Sequence, residues 1–209
     1  MFFTETHLNN QITDEDIAIS GFDVPNRKDR NSHGGGIIMY HKSNINILRR
    51  VDLEHERVES MRFELQTKVH PILVNINYRS ELQSHTLYWQ FFDLMLNKAL
   101  DENSHIICHG DLNNVVMVNL PTTIHDIDSV NGLFKIINKP THFDKHAGNI
   151  SLLDPILITD SIQSTDSYAI EIDRKISDHD GTYVTFKYGF SNQKTYQRTI
   201  WITKREIIL

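Results

Sequence analysis

The sequence predicts an α/β (α+β) fold from three observations: short β-type runs spread along the chain, one clear amphipathic helix, and no internal repeat, low-complexity tract or long linker. Its 209 residues suffice for one well-buried domain. Apolar residues make up 39% and charged residues 23%, the balance of an ordinary soluble domain. No run of about 18 apolar residues occurs, so neither a membrane span nor a membrane partner is expected.

Along the chain, Gly34-Gly35-Gly36 follows a polar stretch at 26–33 and reads as a loop entering a strand at 36–40. A phosphate cradle would need a helix N-terminus directly after the glycines, and Ile37-Ile38-Met39-Tyr40 is strand-like instead. Further strands are expected at 58–65, 72–78, 104–108 and 182–188. Met61-Arg62-Phe63-Glu64-Leu65 alternates strictly, as for a strand with one wet face, whereas 73–78 alternates loosely and suits a more buried strand. The clearest helix covers 84–100, with Ser84 as N-cap and Leu87, Phe91, Leu94 or Met95, and Leu100 at helical spacing. A weaker helix is expected at 130–137. The basic stretch 191–209, with Lys194, Arg198, Lys204 and Arg205, reads as an extension beyond a core domain at 1–190.

The single cysteine, Cys108, follows Ile106-Ile107 and reads as a small core hydrophobe; one thiol cannot staple a fold, which agrees with a reducing compartment. The N-terminus MFFTETHLNN has no basic region, apolar core or cleavage site of a signal peptide, so an intracellular protein, nuclear or cytoplasmic, is expected. The net charge of −6 argues mildly against a general nucleic-acid binder but not against a nuclease, whose cation-holding carboxylates add negative charge. Twelve histidines are scattered without metal-ligand spacing and read mostly as surface residues.

Three short motifs carry chemistry. In His109-Gly110-Asp111-Leu112-Asn113, an acid and an amide two residues apart leave a strand end in one direction, one toward a cation and one toward a phosphate oxygen. Ser177-Asp178-His179 sets a carboxylate beside an imidazole able to act as base or phosphate contact. Asp154 closes the apolar run Ser151-Leu152-Leu153, where a buried carboxylate needs a histidine, an arginine or a metal.

The order of the pieces is more specific than any one of them. Thr4-Glu5-Thr6-x-Leu8, Asp29-Arg30 with Gly34-Gly35-Gly36, Asn77-Tyr78-Arg79, Gly110-Asp111-Leu112-Asn113, Pro140-Thr141, Ser151-Leu152-Leu153-Asp154 and Ser177-Asp178-His179 follow one another. This series resembles the endonuclease domain of non-LTR (LINE-type) retrotransposons, itself similar to apurinic/apyrimidinic endonucleases and pancreatic deoxyribonuclease, over about 3–187. Arg198-Thr199-Ile200-Trp201 looks like the start of a linker toward a reverse transcriptase.

The resemblance implies a DNase-I-like, four-layer αββα sandwich of two mixed β-sheets flanked by helices. It implies Mg²⁺-dependent (or Mn²⁺-dependent) nicking of a target DNA duplex that leaves a 3′-hydroxyl, with a reverse-transcriptase domain as partner. Glu5, Asp178 and Asp111 would hold the metal. Asp111 would position or deprotonate the attacking water, or bind a second metal. His179, held by Asp154, would contact the scissile phosphate as general base or stabiliser. Asn113 and Tyr78 would donate to phosphate oxygens, and Arg79, Thr141 and Ser177 would lie along the substrate. The family domain opens with a strand carrying an asparagine and then a helix, and here the chain opens inside the second strand. The resemblance therefore implies a domain truncated at its N-terminus, marginally folded and weakly active or inactive in isolation. Pro155 stands where a second aliphatic residue is usual, so the strand after Asp154 is expected to start or bulge there. Two other readings stand beside the nuclease: another phosphodiesterase or phosphatase of the same fold, and a non-catalytic remnant that binds nucleic acid.

Overall fold

In chain order the elements of the computed structural model, which describes residues 1–113, 132–144 and 148–190, are β1 (Phe2–Thr4), β2 (Asn26–Lys28), β3 (Ile37–Met39), β4 (Ile47–Arg49), β5 (Glu59–Leu65), β6 (Ile72–Tyr78), α1 (His85–Glu102), β7 (Ile106–Asp111), β8 (Leu133–Lys135), β9 (His142–Phe143), β10 (Ile150–Ser151), β11 (Ile156–Thr159), β12 (Ser164–Ile170) and β13 (Gly181–Phe186). The basic stretch 191–209 lies outside the described residues, as does the start of the weaker helix expected at 130–137.

A six-stranded mixed sheet, in the order β4-β5-β6-β7-β11-β8, is the backbone of the molecule. β6 and β7 are parallel, and α1 makes the crossover between them that a parallel pair requires. Ser84 caps α1, its side chain accepting from the Leu87 amide. The buried stripe of α1 is Tyr88, Trp89, Phe92, Met95, Leu96 and Ala99. That is one step round from the face the spacing suggested, since Leu87 and Leu94 are exposed. The larger aromatic faces win the contact with the sheet, because they bury more area.

β5 has no wet face. Arg62 is fully buried beneath α1, where its guanidinium donates to the Met95 carbonyl and the Asn75 side chain. The face expected to be wet is covered by a helix rather than by water. Asn75 in turn donates to Asn77, so a buried polar column runs through this part of the sheet. The opposite face, with Met61, Phe63, Ile76 and Tyr78, packs with Ile37 into a second core cluster joined by Phe2 and Met39.

A second β layer is split: β1 and β3 contribute to this second cluster, whereas Val184 and Phe186 of β13 pack on the first core cluster. β1-β3-β2 form one antiparallel sheet, β12 and β13 another, and β10-β9 a short pair. Among the described residues β1 is bonded only to β3, and β13 only to β12. Phe2 of β1 and Thr182 of β13 both reach His109 on β7, Phe2 by an edge-on ring contact at 4.6 Å and Thr182 by a 2.5 Å hydrogen bond.

Residues 133–135 form a strand rather than the end of a helix: they ladder onto β11, with Leu133 buried and Phe134 exposed. A three-residue apolar alternation cannot be told from helical spacing locally, and the free edge of β11 decides it. The histidines also depart from the surface reading. Among the described ones only His7 and His33 are exposed, the rest being wedged at seams such as the His70–His105 stack at 3.4 Å. Cys108 is buried, and β11 starts directly after Pro155, both as expected. Among the described residues no helix is long and apolar enough to cross a membrane.

Candidate active site

Because β6 and β7 run parallel, their C-terminal ends emerge together, and Tyr78 is the register partner of Asp111. β11 runs antiparallel to β7 with Ile156 opposite His109, which brings the preceding Asp154 alongside Asp111. The Leu112 amide donates to the Leu153 carbonyl and extends that ladder past the strand end. Gly110 is required for this close approach. It has φ +138°, and a Cβ there would lie 1.8 Å from the Asn77 carbonyl oxygen.

His179 arrives from the segment preceding β13, held by a bridge to His142 and by the Ser177 hydroxyl, which accepts from the His179 amide. Its Nδ1 lies 2.8 Å from Asp154 Oδ2. Thr141 is buried; its hydroxyl accepts from the Leu153 and Asp154 amides, and its carbonyl accepts from Asp180. Thr141 and Ser177 thus fix the backbone that presents Asp154 and His179. One oxygen each of Asp111 and Asp154 and a ring nitrogen of His179 lie within 4.8 Å of one another.

Glu5 follows β1, in the left-handed region at φ +52°, and its carboxylate accepts from the Tyr78 hydroxyl. The adjoining Thr6 lies so close to the glycine loop that a Cβ on Gly36 would stand 2.4 Å from its hydroxyl. Arg30 donates to Gly34 O and Glu59 and stands over the Tyr78 ring, 5.6 Å from its centroid. The Asn113 amide and side-chain nitrogen donate to the two oxygens of Asp111, and the same Nδ2 donates to the Arg79 carbonyl. Arg79 is buried, with its guanidinium on backbone carbonyls. Asp178 is exposed beside His179. The structure therefore brings Asp111, Asp154 and His179 into one cluster, sets Glu5 with Tyr78, and leaves Asp178 on the rim.

The electrostatics follow from burial. Desolvation, then the charge of Asp154, pushes the Asp111 carboxyl well above the usual carboxylate range, against the pull of His179 and the Asn113 amide. Burial alone would lower the His179 imidazole. The hydrogen bond and charge of Asp154, with the charges of Asp111 and Asp178, outweigh it and raise His179 to about 9. Burial, followed by the hydrogen bond to Glu5, pushes the Tyr78 phenol up, so it stays a donor. The Asp111 carboxyl, desolvated and raised by the charge of Asp154, calls for a cation, and a donor set of this kind could hold a divalent metal ion.

Sequence reasoning missed two residues here. His109 is pushed down to about 4 by burial, so it sits neutral against Thr182, and His142 lies with its ring 4.8 Å from that of His179. His109 stood in the Gly-Asp motif as a visible signal; His142 had none, because only the fold brings it to His179.

No family model matches the sequence, and no curated protein matches it. Solved structures do. The endonuclease domain of TRAS1, a telomere-specific non-LTR retrotransposon, superposes with a TM-score of 0.59 at 15% identity, covering 74% of this chain and 74% of its own. The catalytic domain of Xenopus laevis APE2 gives 0.66 at 14% identity over 92% of this chain and 85% of its own. The 3′ phosphatase NExo from Neisseria, bound to a product DNA hairpin, gives 0.66 at 11% identity over 89% and 88%. At such identities the likeness is one of architecture, and the chain shares the DNase-I-like fold of these structures.

Proposed function

We propose that this chain is a divalent-metal-dependent phosphodiesterase that nicks DNA and leaves a 3′-hydroxyl, as the endonuclease part of a retrotransposon polyprotein. The observation that carries the reading is the Asp111–Asp154–His179 cluster at the strand ends, with the Glu5–Tyr78 pair beside it. A Mg²⁺ held by Glu5 and Asp178 would supply positive charge to the phosphoryl oxygens and to the leaving oxygen, which leaves Asp111 free to act on the water.

The protonation states divide the labour between the side chains. His179, raised to about 9, is a cation at neutral pH. With Nδ1 bound to Asp154, its other ring nitrogen donates to a non-bridging phosphate oxygen, so it acts as a stabiliser of developing charge rather than as the base. Asp111, with its raised affinity for a proton, takes the proton of the attacking water. Water attacks phosphorus, the bond from phosphorus to the 3′-oxygen breaks, and that oxygen leaves as an alkoxide that takes a proton from solvent water to become the hydroxyl, while Asp111 returns its proton to solvent. Asn113 orients the Asp111 carboxylate through its two donors.

Supercoiled plasmid incubated with the full chain should convert to open circles with Mg²⁺ and not with EDTA, with nicks that a polymerase extends directly. Nicking by Asp111→Ala at the wild-type rate would overturn the proposal. Likeness to a DNA 3′ phosphatase over nearly the whole chain supports a second reading, release of phosphate from DNA 3′ ends. A 3′-phosphorylated oligonucleotide processed faster than the plasmid would select it.

A further inference from the structure

Arg79 follows Tyr78 at the end of β6, beside the candidate site, yet the described structure gives its guanidinium no carboxylate. Nε donates to the Leu112 carbonyl at 2.6 Å, Nη2 to the Asn113 carbonyl, and Nη1 to the carbonyls of Gln83 at 3.2 Å and Ser80 at 3.5 Å. The side chain is 6% exposed, so little of it is left for a ligand. Its own backbone closes the loop: the Arg79 amide donates to the Asp111 carbonyl at 2.9 Å, and its carbonyl accepts from Asn113 Nδ2 at 2.8 Å.

The turn it grips is strained. Asn113 has φ +44°, a left-handed conformation that an asparagine tolerates but that must be held. In that conformation both Asn113 donors land on Asp111, the backbone amide on Oδ1 and the side-chain amide on Oδ2. A planar fork of five donors can satisfy carbonyls on both sides of the strand end at once. A lysine ammonium, with three donors on one point, cannot.

We propose that Arg79 is a positioning residue: it clamps the Leu112–Asn113 turn to the loop before α1, so that Asn113 holds the Asp111 carboxylate in one orientation, and it makes no contact with the substrate phosphate. The proposal rests on the phosphodiesterase reading for what Asp111 does, and on geometry alone for the clamp.

Arg79→Met and Arg79→Lys in the full chain test it. Plasmid nicking should show kcat lowered by about tenfold or more in Arg79→Met with KM changed less than about twofold, and a smaller loss in Arg79→Lys. Affinity for a fluorescent DNA duplex in Ca²⁺, and its salt dependence, should match the wild type. A phosphate contact would instead weaken duplex binding several-fold and lower the salt slope by about one, which overturns the proposal. A wild-type chain that does not nick would end the phosphodiesterase reading but not the clamp. The clamp is then read from hydrogen exchange: the Asn113 amide should lose protection in Arg79→Met while the central amides of β6 keep theirs. An Asn113 amide as protected in Arg79→Met as in the wild type overturns it, and Arg79→Lys provides the same reading if the methionine variant does not fold.

Discussion

The two β layers differ in kind. The six-stranded sheet is closed on both sides of its central strands, and β6, β7 and β11 are buried almost throughout. The facing layer is split into smaller sheets, whose strands β1, β12 and β13 are mostly half-buried or exposed. The candidate site draws on both. Tyr78 and Asp111 come from the ends of the buried strands, Glu5 follows β1, and His179 precedes β13. The layer that gives stability thus positions the proposed base, and the weaker layer brings the other groups to it. His109 is the seam, touching Phe2 on one side and Thr182 on the other.

The largest separation of the two roles is expected at Asp111. Asp111→Asn should lower nicking by about 10²–10⁴-fold, the worth of a positioned general base. It should also raise the melting temperature, because it removes a buried charge that burial and Asp154 disfavour. Calorimetry of the variant showing a lower melting temperature would mean that this charge is well compensated in the fold.

Next come the layers themselves. Leu73→Ala in β6, at a fully buried position, should cost about 2–5 kcal/mol in urea unfolding. Ile170→Ala in β12, where the side chain is half exposed, should cost less than about 1 kcal/mol. Equal costs would erase the distinction between the layers.

The seam should titrate. His109 has its folded pKa lowered from 6.5 to about 4, so it is neutral in both states above pH 6.5 and costs nothing there. As pH falls from 6.5 toward 4 the unfolded chain takes up the proton first, and stability should fall by up to on the order of 3 kcal/mol. His109→Gln should flatten that limb in acid unfolding curves, and an unchanged acid slope would assign the loss elsewhere. A local effect is expected at Thr141. Thr141→Val leaves the Leu153 and Asp154 amides without their acceptor and should cost about 1–3 kcal/mol, while Thr141→Ser retains most of the stability. Denaturant midpoints that place both variants together would show that the hydroxyl is not what holds Asp154.

Much of the strand content was legible in local pattern. The runs at 36–40, 58–65, 72–78, 104–108 and 182–188 all contain strands, and Ser84 caps the helix as its residue type suggested. The failures share a cause. Arg62 looked like a surface residue because a charge in an alternating strand usually faces water, and only α1 buries it. Residues 133–135 looked helical until β11 offered an edge. In the site, Asp154 signalled its need for a partner, and His179 fills it at 2.8 Å. Nothing local could show that Arg79 would turn inward onto carbonyls, because its acceptors on Leu112 and Asn113 lie more than thirty residues away in sequence.

The sequence by itself determined the residue types for the chemistry, their order along the chain, the two-faced strands and the helix start, because periodicity and capping act over a few neighbouring residues. Tertiary structure decided which acids share one small volume, which carboxyl burial raises, and which cations remain for a substrate. Those properties depend on distance and desolvation between segments far apart in the chain. The parallel register of β6 and β7 sets Tyr78 beside Asp111, and the antiparallel return of β11 sets Asp154 beside Asp111.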